Sequence, residues 1–425
     1  MTYNREQIAG NIGFTSIIDS KFKTNTIKIN FITNMSADKA AENSLAVGIL
    51  ATSNSKYKTL AELSSKLGSL YGSSIYADVK KRGDIQILSF GASWLDNRYA
   101  LENEDITAEM LEIISDCIFR PNCNDSEFDS NSFSIRKNDL LDKIEAEINN
   151  KRGYAISKAS EIAFKGEPAE CSCYGKKENA EAADSSSTYK AYLDLMKNAQ
   201  IEIFFVAPED NPKVMKKLAN EFKAIEFKAI ERNADTKYNF TSSSPAKKNV
   251  ENVTEQLDVS QSKLVMAFKS DSDDKIALKF LSTIYGETPF SKLFANVREK
   301  LSLCYYCASS YANSKNALFV DSGVEKANVE KAKSEILNQL EEIKKGNFEQ
   351  SDIDNSVLSL ENALIAVGDI PSSYISWYFN RFCEGDSMTP QEICNKYKAV
   401  TKERIIDAAA SLKLDTVYLM TQKEV

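Results

Sequence analysis

Apolar and polar residues alternate most clearly from Thr24 to Ile32, where Ile27, Ile29 and Phe31 share one side of an extended chain. That pattern predicts a half-buried strand. Helical spacing follows, over about Asp38–Thr52 and again over Thr59–Leu70, where Leu60, Leu63, Leu67 and Leu70 recur on one face. Thr59 with Glu62 three residues on reads as a capping box. Strands are predicted near Ser74–Lys80 and Asp84–Ser93, then helices near Thr107–Cys117, Asp125–Asn149, Lys151–Ala163 and Tyr189–Lys197, and a strand at Ile201–Val206.

The same order returns in the second half. It gives a strand near Lys263–Lys269, helices near Lys275–Tyr285 and Phe290–Lys300, and strands near Ser302–Ala312 and Ala317–Ser322. Helices near Val329–Lys345, Gln350–Val367 and Lys402–Ser411 and a strand at Thr416–Met420 complete it. Tyr192–Val206 and Ile406–Met420 share one helix-to-strand pattern, and Leu70–Ala77 resembles Leu303–Ala312. The repeat, about 210–235 residues, is too long for a solenoid. The expected fold is therefore α+β: two homologous domains, 1–230 and 261–425, each a mixed or antiparallel sheet with helices mainly on one face. The polar segment 231–260 reads as a linker.

Composition narrows the chemistry. The chain has 425 residues, a net charge of −8 and 43% apolar residues, enough for a sizeable core. An acidic chain of this kind argues against nucleic-acid binding, where cations on phosphate supply most of the affinity. No apolar run is long enough to span a membrane, and the N-terminus lacks a secretory pattern. A cytoplasmic location is expected. There is no histidine. That excludes Ser-His-Asp and Cys-His nucleophile systems and every histidine-based zinc motif. The 15 glycines form neither a dinucleotide fingerprint nor a phosphate-binding loop.

Of eight cysteines, Cys171–Cys173 and Cys304–Cys307 are close pairs. The second lies in a predicted strand, whose alternation would send its two thiols to opposite faces. Small buried hydrophobes are the favoured reading of these cysteines.

The run Gly286–Tyr305, G-E-T-P-F-S-K-L-F-A-N-V-R-E-K-L-S-L-C-Y, resembles the second homologous domain of the insulinase/pitrilysin metallopeptidases, and Leu60–Tyr71 resembles the first. In that family an H-x-x-E-H helix of the first domain and a later glutamate hold zinc. Here the matching histidine positions fall on Leu45 and Ile49, the base on Gly48, and the later glutamate near Glu145 or Glu147. No bound cofactor is expected on this chain. The resemblance also implies that an arginine and a tyrosine seven residues apart, here Arg298 and Tyr305, grip the peptide backbone and a developing oxyanion in trans. The plainer alternative pairs Arg298 with a nearby carboxylate and leaves Tyr305 in the core.

The resemblance thus implies the non-zinc-binding type of subunit. Such a chain completes the active site of a zinc-bearing homologous partner acting on peptides; the expected partner is that subunit or, in a self-dimer, a second copy. A non-catalytic scaffold or peptide-binding homologue is the competing class. An independent enzyme with Asp, Glu or Cys ligands or a lysine base is a third.

Overall fold

The computed structural model describes residues 1–226, 232 and 238–423. The first sheet is built from β1 (Thr2–Ala9), β2 (Ile12–Ile18), β3 (Thr24–Asn34), β4 (Ser74–Arg82), β5 (Ile85–Leu95) and, after a minimal hairpin of β6 (Cys123–Asn124) and β7 (Glu127–Phe128), β8 (Gln200–Ala207). Its order is β1-β2-β8-β3-β5-β4, with only β2 and β8 parallel. Ile27, Ile29 and Phe31 face one core with the helices Ala40–Leu50, Ile106–Phe119 and Ser185–Asn198, as the alternation requires. The capping box of Thr59 and Glu62 is present at the helix Leu60–Ser69.

The second sheet contains β9 (Glu251–Leu257), β10 (Ser262–Ser270), β11 (Cys304–Ala312), β12 (Ala317–Val324) and β13 (Leu412–Gln422), in the order β11-β12-β10-β13-β9. Position by position this is β4-β5-β3-β8-β2, and each neighbouring pair keeps its sense, β13 and β9 being parallel as β8 and β2 are. The duplication extends to single residues. Tyr76 lies across from Gly91 in β4–β5, and Tyr306 across from Gly323 in β11–β12. In both pairs the tyrosine ring fills the space that a β-carbon on the glycine would need, so a ring restores the apolar cover that the glycine cannot give.

Some elements depart from expectation. The N-terminal hairpin β1–β2 was not signalled by the pattern. Part of the expected linker 231–260 is a strand: β9 exposes alternate residues, as befits an edge, and its polar outer face hid it. Residues 231 and 233–237 of that segment, and 227–230 before it, lie outside the described residues.

The compact units are also discontinuous. One comprises Met1–Glu145, Cys171–Asn239 and Asp369–Asn380, and the other Ala146–Glu170, Phe240–Gly368 and Arg381–Val425, instead of the contiguous stretches 1–230 and 261–425. The helix Lys151–Ala163 covers the second sheet, setting Ala155, Ala159 and Ala163 against Val265, Ala267, Phe319 and Tyr418. Alanines at i, i+4 and i+8 make a flat stripe that lets a helix lie close on a sheet. In the first unit, Tyr374, Tyr378 and Phe379 of the helix Pro371–Cys383 pack on Phe22, Tyr3 and Phe204. Helical periodicity shows that such a helix has an apolar side but not which sheet receives it.

Candidate functional site

The helix Ala40–Leu50 carries the three positions where the resemblance puts a metal motif. Leu45 is buried with Ala41, Leu140, Ala180 and Ala183. Ile49 is fully buried in the core of the first unit. Gly48 lies under Arg136, whose Cδ is 3.5 Å from the position of a β-carbon there. Arg136 donates from Nε to Thr52 Oγ1 at 2.6 Å and from Nη1 to Asp139 Oδ2 at 3.0 Å.

Zinc requires nitrogen, sulfur or oxygen donors, and none of these three side chains has one. Glu145 forms a half-exposed ion pair with Lys177 at 2.6 Å; its helix meets the Leu45 cluster through the apolar side chains of Leu140, Phe133, Leu141 and Ile144. Glu147 lies past that helix, in a short 3₁₀ turn. Among the described residues no three His, Cys, Asp or Glu side chains converge as a metal site would need. The residues present do not fit the ion.

The second candidate is built differently. The helix Lys275–Ser282 continues into a wide π-type turn, Thr283–Glu287, and a second π-type segment runs from Leu293 to Lys300. Leu293 and Val297 anchor the second segment in the core. It closes with Leu301 donating to the Asn296 carbonyl, five residues back, and Ser302 then turns the chain with φ 51°. Phe294 is only partly buried. Its ring instead supports the Arg298 guanidinium at 4.5 Å, a cation–π contact. Arg298 also approaches Glu299, Nε to Oε1 3.4 Å.

Tyr305 stands in β11 just where the ladder slips. Cys304 pairs with Val324 and Tyr306 with Gly323, leaving Tyr305 without an opposite residue. This is a β-bulge, a device that re-aims side chains. Tyr305 is 69% exposed, so the alternative that made it a core residue is overturned. Arg298 and Tyr305 line one cavity of about 420 Å³ with Glu299, Ser302, Leu303, Cys304, Glu325 and Asn328.

The bulge also corrects the reading of the cysteines. One extra residue resets the alternation, so Cys304 and Cys307 share a face and both pack on the helical core of this unit. A hydrogen bond from Cys307 lowers the Cys304 thiol to about 7, against the opposing effect of burial and with help from Ser322 and the Arg298 charge. Cys307, the donor and the more deeply buried, is pushed well up. Among the cysteines, Cys117, Cys307, Cys383 and Cys394 are buried, while Cys123, Cys171, Cys173 and Cys304 are partly exposed. No pattern in the sequence marks the bulge, because Leu-Cys-Tyr-Tyr-Cys-Ala is equally good strand in either register.

With this geometry in view, the comparisons are direct. Residues 187–360, which include Arg298 and Tyr305, match the family model described as the peptidase M16 inactive domain. That stretch is therefore similar to the inactive domain of the M16, insulinase-type, peptidases. The probable inactive metalloprotease YmfF of Bacillus subtilis (strain 168) is 26% identical over 433 residues, spanning 100% of this chain and 99% of the relative. Among solved structures, a conserved protein from Enterococcus faecalis V583 superposes with a TM-score of 0.90 at 24% identity, covering 99% of both chains. A peptidase M16 inactive domain from Pseudomonas fluorescens gives 0.75 at 15% identity, covering 100% of this chain and 99% of the other. These two likenesses show a shared fold, the two mixed α/β halves described above. The helix at the position of the resemblance's metal motif carries Leu45, Gly48 and Ile49, none of which offers a zinc donor. No helix among the described residues is long and apolar enough to cross a membrane.

Proposed function

We propose that this chain is the supporting subunit of a two-chain zinc peptidase, lending Arg298 and Tyr305 to a zinc-bearing homologous partner that activates the water. The observation that carries the reading is the shared cavity: a fixed guanidinium and an outward-bulged phenol line one solvent-open wall. Neither group needs a metal on this chain. The guanidinium rests on the Phe294 ring, which limits its rotamers without neutralising it. A cation and a phenolic donor set in place before reaction stabilise an oxyanion at little reorganisation cost. The substrate class is peptide, the compartment cytoplasmic, and the partner a histidine-bearing homologue.

The test is reconstitution. Zinc content and cleavage of a fluorogenic peptide are measured for the chain alone, for the histidine-bearing homologue alone, and for the two mixed. Zinc and activity are expected only where the homologue is present, with activity rising on mixing. Arg298→Ala is expected to lower the mixed activity about 10²-fold, the usual effect of losing one oxyanion donor. Unchanged mixed activity in Arg298→Ala overturns the role. A scaffold that binds without reaction is the second reading, and the contact of Arg298 with Glu299 favours it; peptide binding without turnover in the mixture is its signature.

A further inference from the structure

We propose that Cys304 and Cys307 form a hydroperoxide-reactive thiol pair, with Cys304 attacking a peroxide that enters from the cavity and Cys307 resolving it to a disulfide within β11. The argument begins with the bulge. In a regular strand, residues three apart stand about 10 Å from one another, at about 3.3 Å per residue, and a disulfide cannot close that gap. With Tyr305 looped out of the ladder, Cys304 and Cys307 are spaced as next-nearest neighbours on one face. Their α-carbons are then about 6.6 Å apart, within the roughly 4.4–6.8 Å that a disulfide bridges.

The surroundings divide the labour. Cys304 lines the open cavity beside Arg298, so a small oxidant reaches it, and the guanidinium favours its thiolate. Cys307 is only 4% exposed and reaches solvent chemistry through its neighbour. The charged and titratable groups around the pair are Arg298, Glu299, Tyr305 and Glu325 at the cavity wall, with Asp321 acting on Cys307 from β12 and the phenols of Tyr285 and Tyr306 each close enough to feel Cys307. Arg298 is the one cation among them. The lowered Cys304 thiol places substantial thiolate at neutral pH, and the thiolate is the attacking form.

The chemistry balances with a hydroperoxide as oxidant. The Cys304 thiolate attacks one peroxide oxygen, the O–O bond breaks, and the departing hydroxide takes up a proton as water, leaving Cys304 as the sulfenic acid. Cys307 then attacks the Cys304 sulfur. The S–S bond forms, the S–O bond breaks, and hydroxide leaves with the Cys307 proton as a second water. Two thiols lose two electrons and one hydrogen peroxide becomes two waters. The inference does not depend on the peptidase reading, since its readout is covalent.

The experiment treats the full chain with hydrogen peroxide across pH 6–9, blocks free thiols, and maps modified peptides by mass. The wild type is expected to give a Cys304–Cys307 disulfide that dithiothreitol reverses. Cys304 should react at pH 7 about tenfold faster than an ordinary thiol of pKa about 8.5. Cys307→Ala should stop at a sulfenic acid on Cys304 that dimedone captures. Arg298→Ala should slow the reaction at pH 7 but not at pH 9. Oxidation of Cys123, Cys171 or Cys173 ahead of Cys304, or no 304–307 disulfide in the wild type, overturns the proposal.

Discussion

The aliphatic stem of Arg136 lies across Gly48, its Cδ and Cγ 3.5 and 3.7 Å from where a glycine β-carbon would stand. Those are ordinary van der Waals separations, and Gly48 sits inside the helix Ala40–Leu50. Glycine in a helix interior costs about 0.8–1.0 kcal/mol relative to alanine. Gly48→Ala is therefore expected to stabilise the chain by about 0.5–1 kcal/mol, read from the urea midpoint. Loss of stability would show that this glycine is kept for close approach and that the Arg136 packing is tighter than described.

Gly286 is the opposite case. A β-carbon there would stand 2.5 Å from the backbone nitrogen of Ser309 and 2.9 Å from Leu293 Cδ1. The first neighbour is backbone in β11, which cannot swing aside. Gly286→Ala is expected to destabilise by about 1–3 kcal/mol, as overpacking in a core does. Because Leu293 begins the segment that bears Arg298, the same change should weaken the reconstituted peptidase activity beyond its effect on stability. A neutral outcome in chemical denaturation would refute the close contact.

Much of the fold was legible because it rests on periodicity. The strand through Ile27, Ile29 and Phe31, the capped helix after Thr59, and the helix-to-strand ends at Tyr192–Val206 and Ile406–Met420 all depend on local spacing, and all stand where the pattern put them. What escaped depends on partners. The pattern of Lys151–Ala163 names its alanine stripe but not the sheet under it. The strand β9 looks like polar linker until β13 pairs with it. The cavity around Arg298 was legible only as a spacing of seven residues. The bulge that turns Tyr305 outward and brings Cys304 onto the face of Cys307 is a property of register against β12, and one strand's sequence does not contain its partner's register.

Asp415 gives the second unit a pH dependence. Its side chain is fully buried. Burial pushes its carboxyl up, but the Lys247 backbone N–H, the Thr416 hydroxyl, the Lys247 ammonium and the Lys269 charge outweigh this and hold it below the ordinary value. Lys247 donates from backbone N and from Nζ at 2.9 Å each. A depressed native pKa means that the unfolded chain binds the proton more readily. The stabilisation is therefore complete above the unfolded value of about 3.9, and it drains away as pH falls through the lower native value. Asp415→Asn, which takes one of two carboxylates from each lysine and leaves Lys247 with Glu251 and Lys269 with Glu167, is expected to cost about 1.5–3 kcal/mol at pH 7, as losing hydrogen bonds to a charged group does. The gap from wild type should narrow between pH 4 and pH 2. A gap that stays constant over that range would mean the carboxylate charge contributes nothing to the fold.

Restoring the absent motif tests how far the first unit has moved from metal binding. Leu45→His, Gly48→Glu and Ile49→His together would recreate the family's spacing on the helix Ala40–Leu50. The surroundings oppose it. An imidazole at Leu45 would face Leu140, Ala180 and Ala183, and one at Ile49 would enter a fully apolar core, each burying a polar ring with no partner. A glutamate at Gly48 would meet Arg136, already fixed to Thr52 and Asp139, and an ion pair there would compete with its use as a base. The triple variant is expected to lose stability by more than about 3 kcal/mol, summing two such burials, and to bind no stoichiometric zinc by elemental analysis after dialysis. Tight zinc binding with a raised melting temperature would mean that the site is one set of substitutions from function, and that the packing of Leu140 and Arg136 yields readily to a metal.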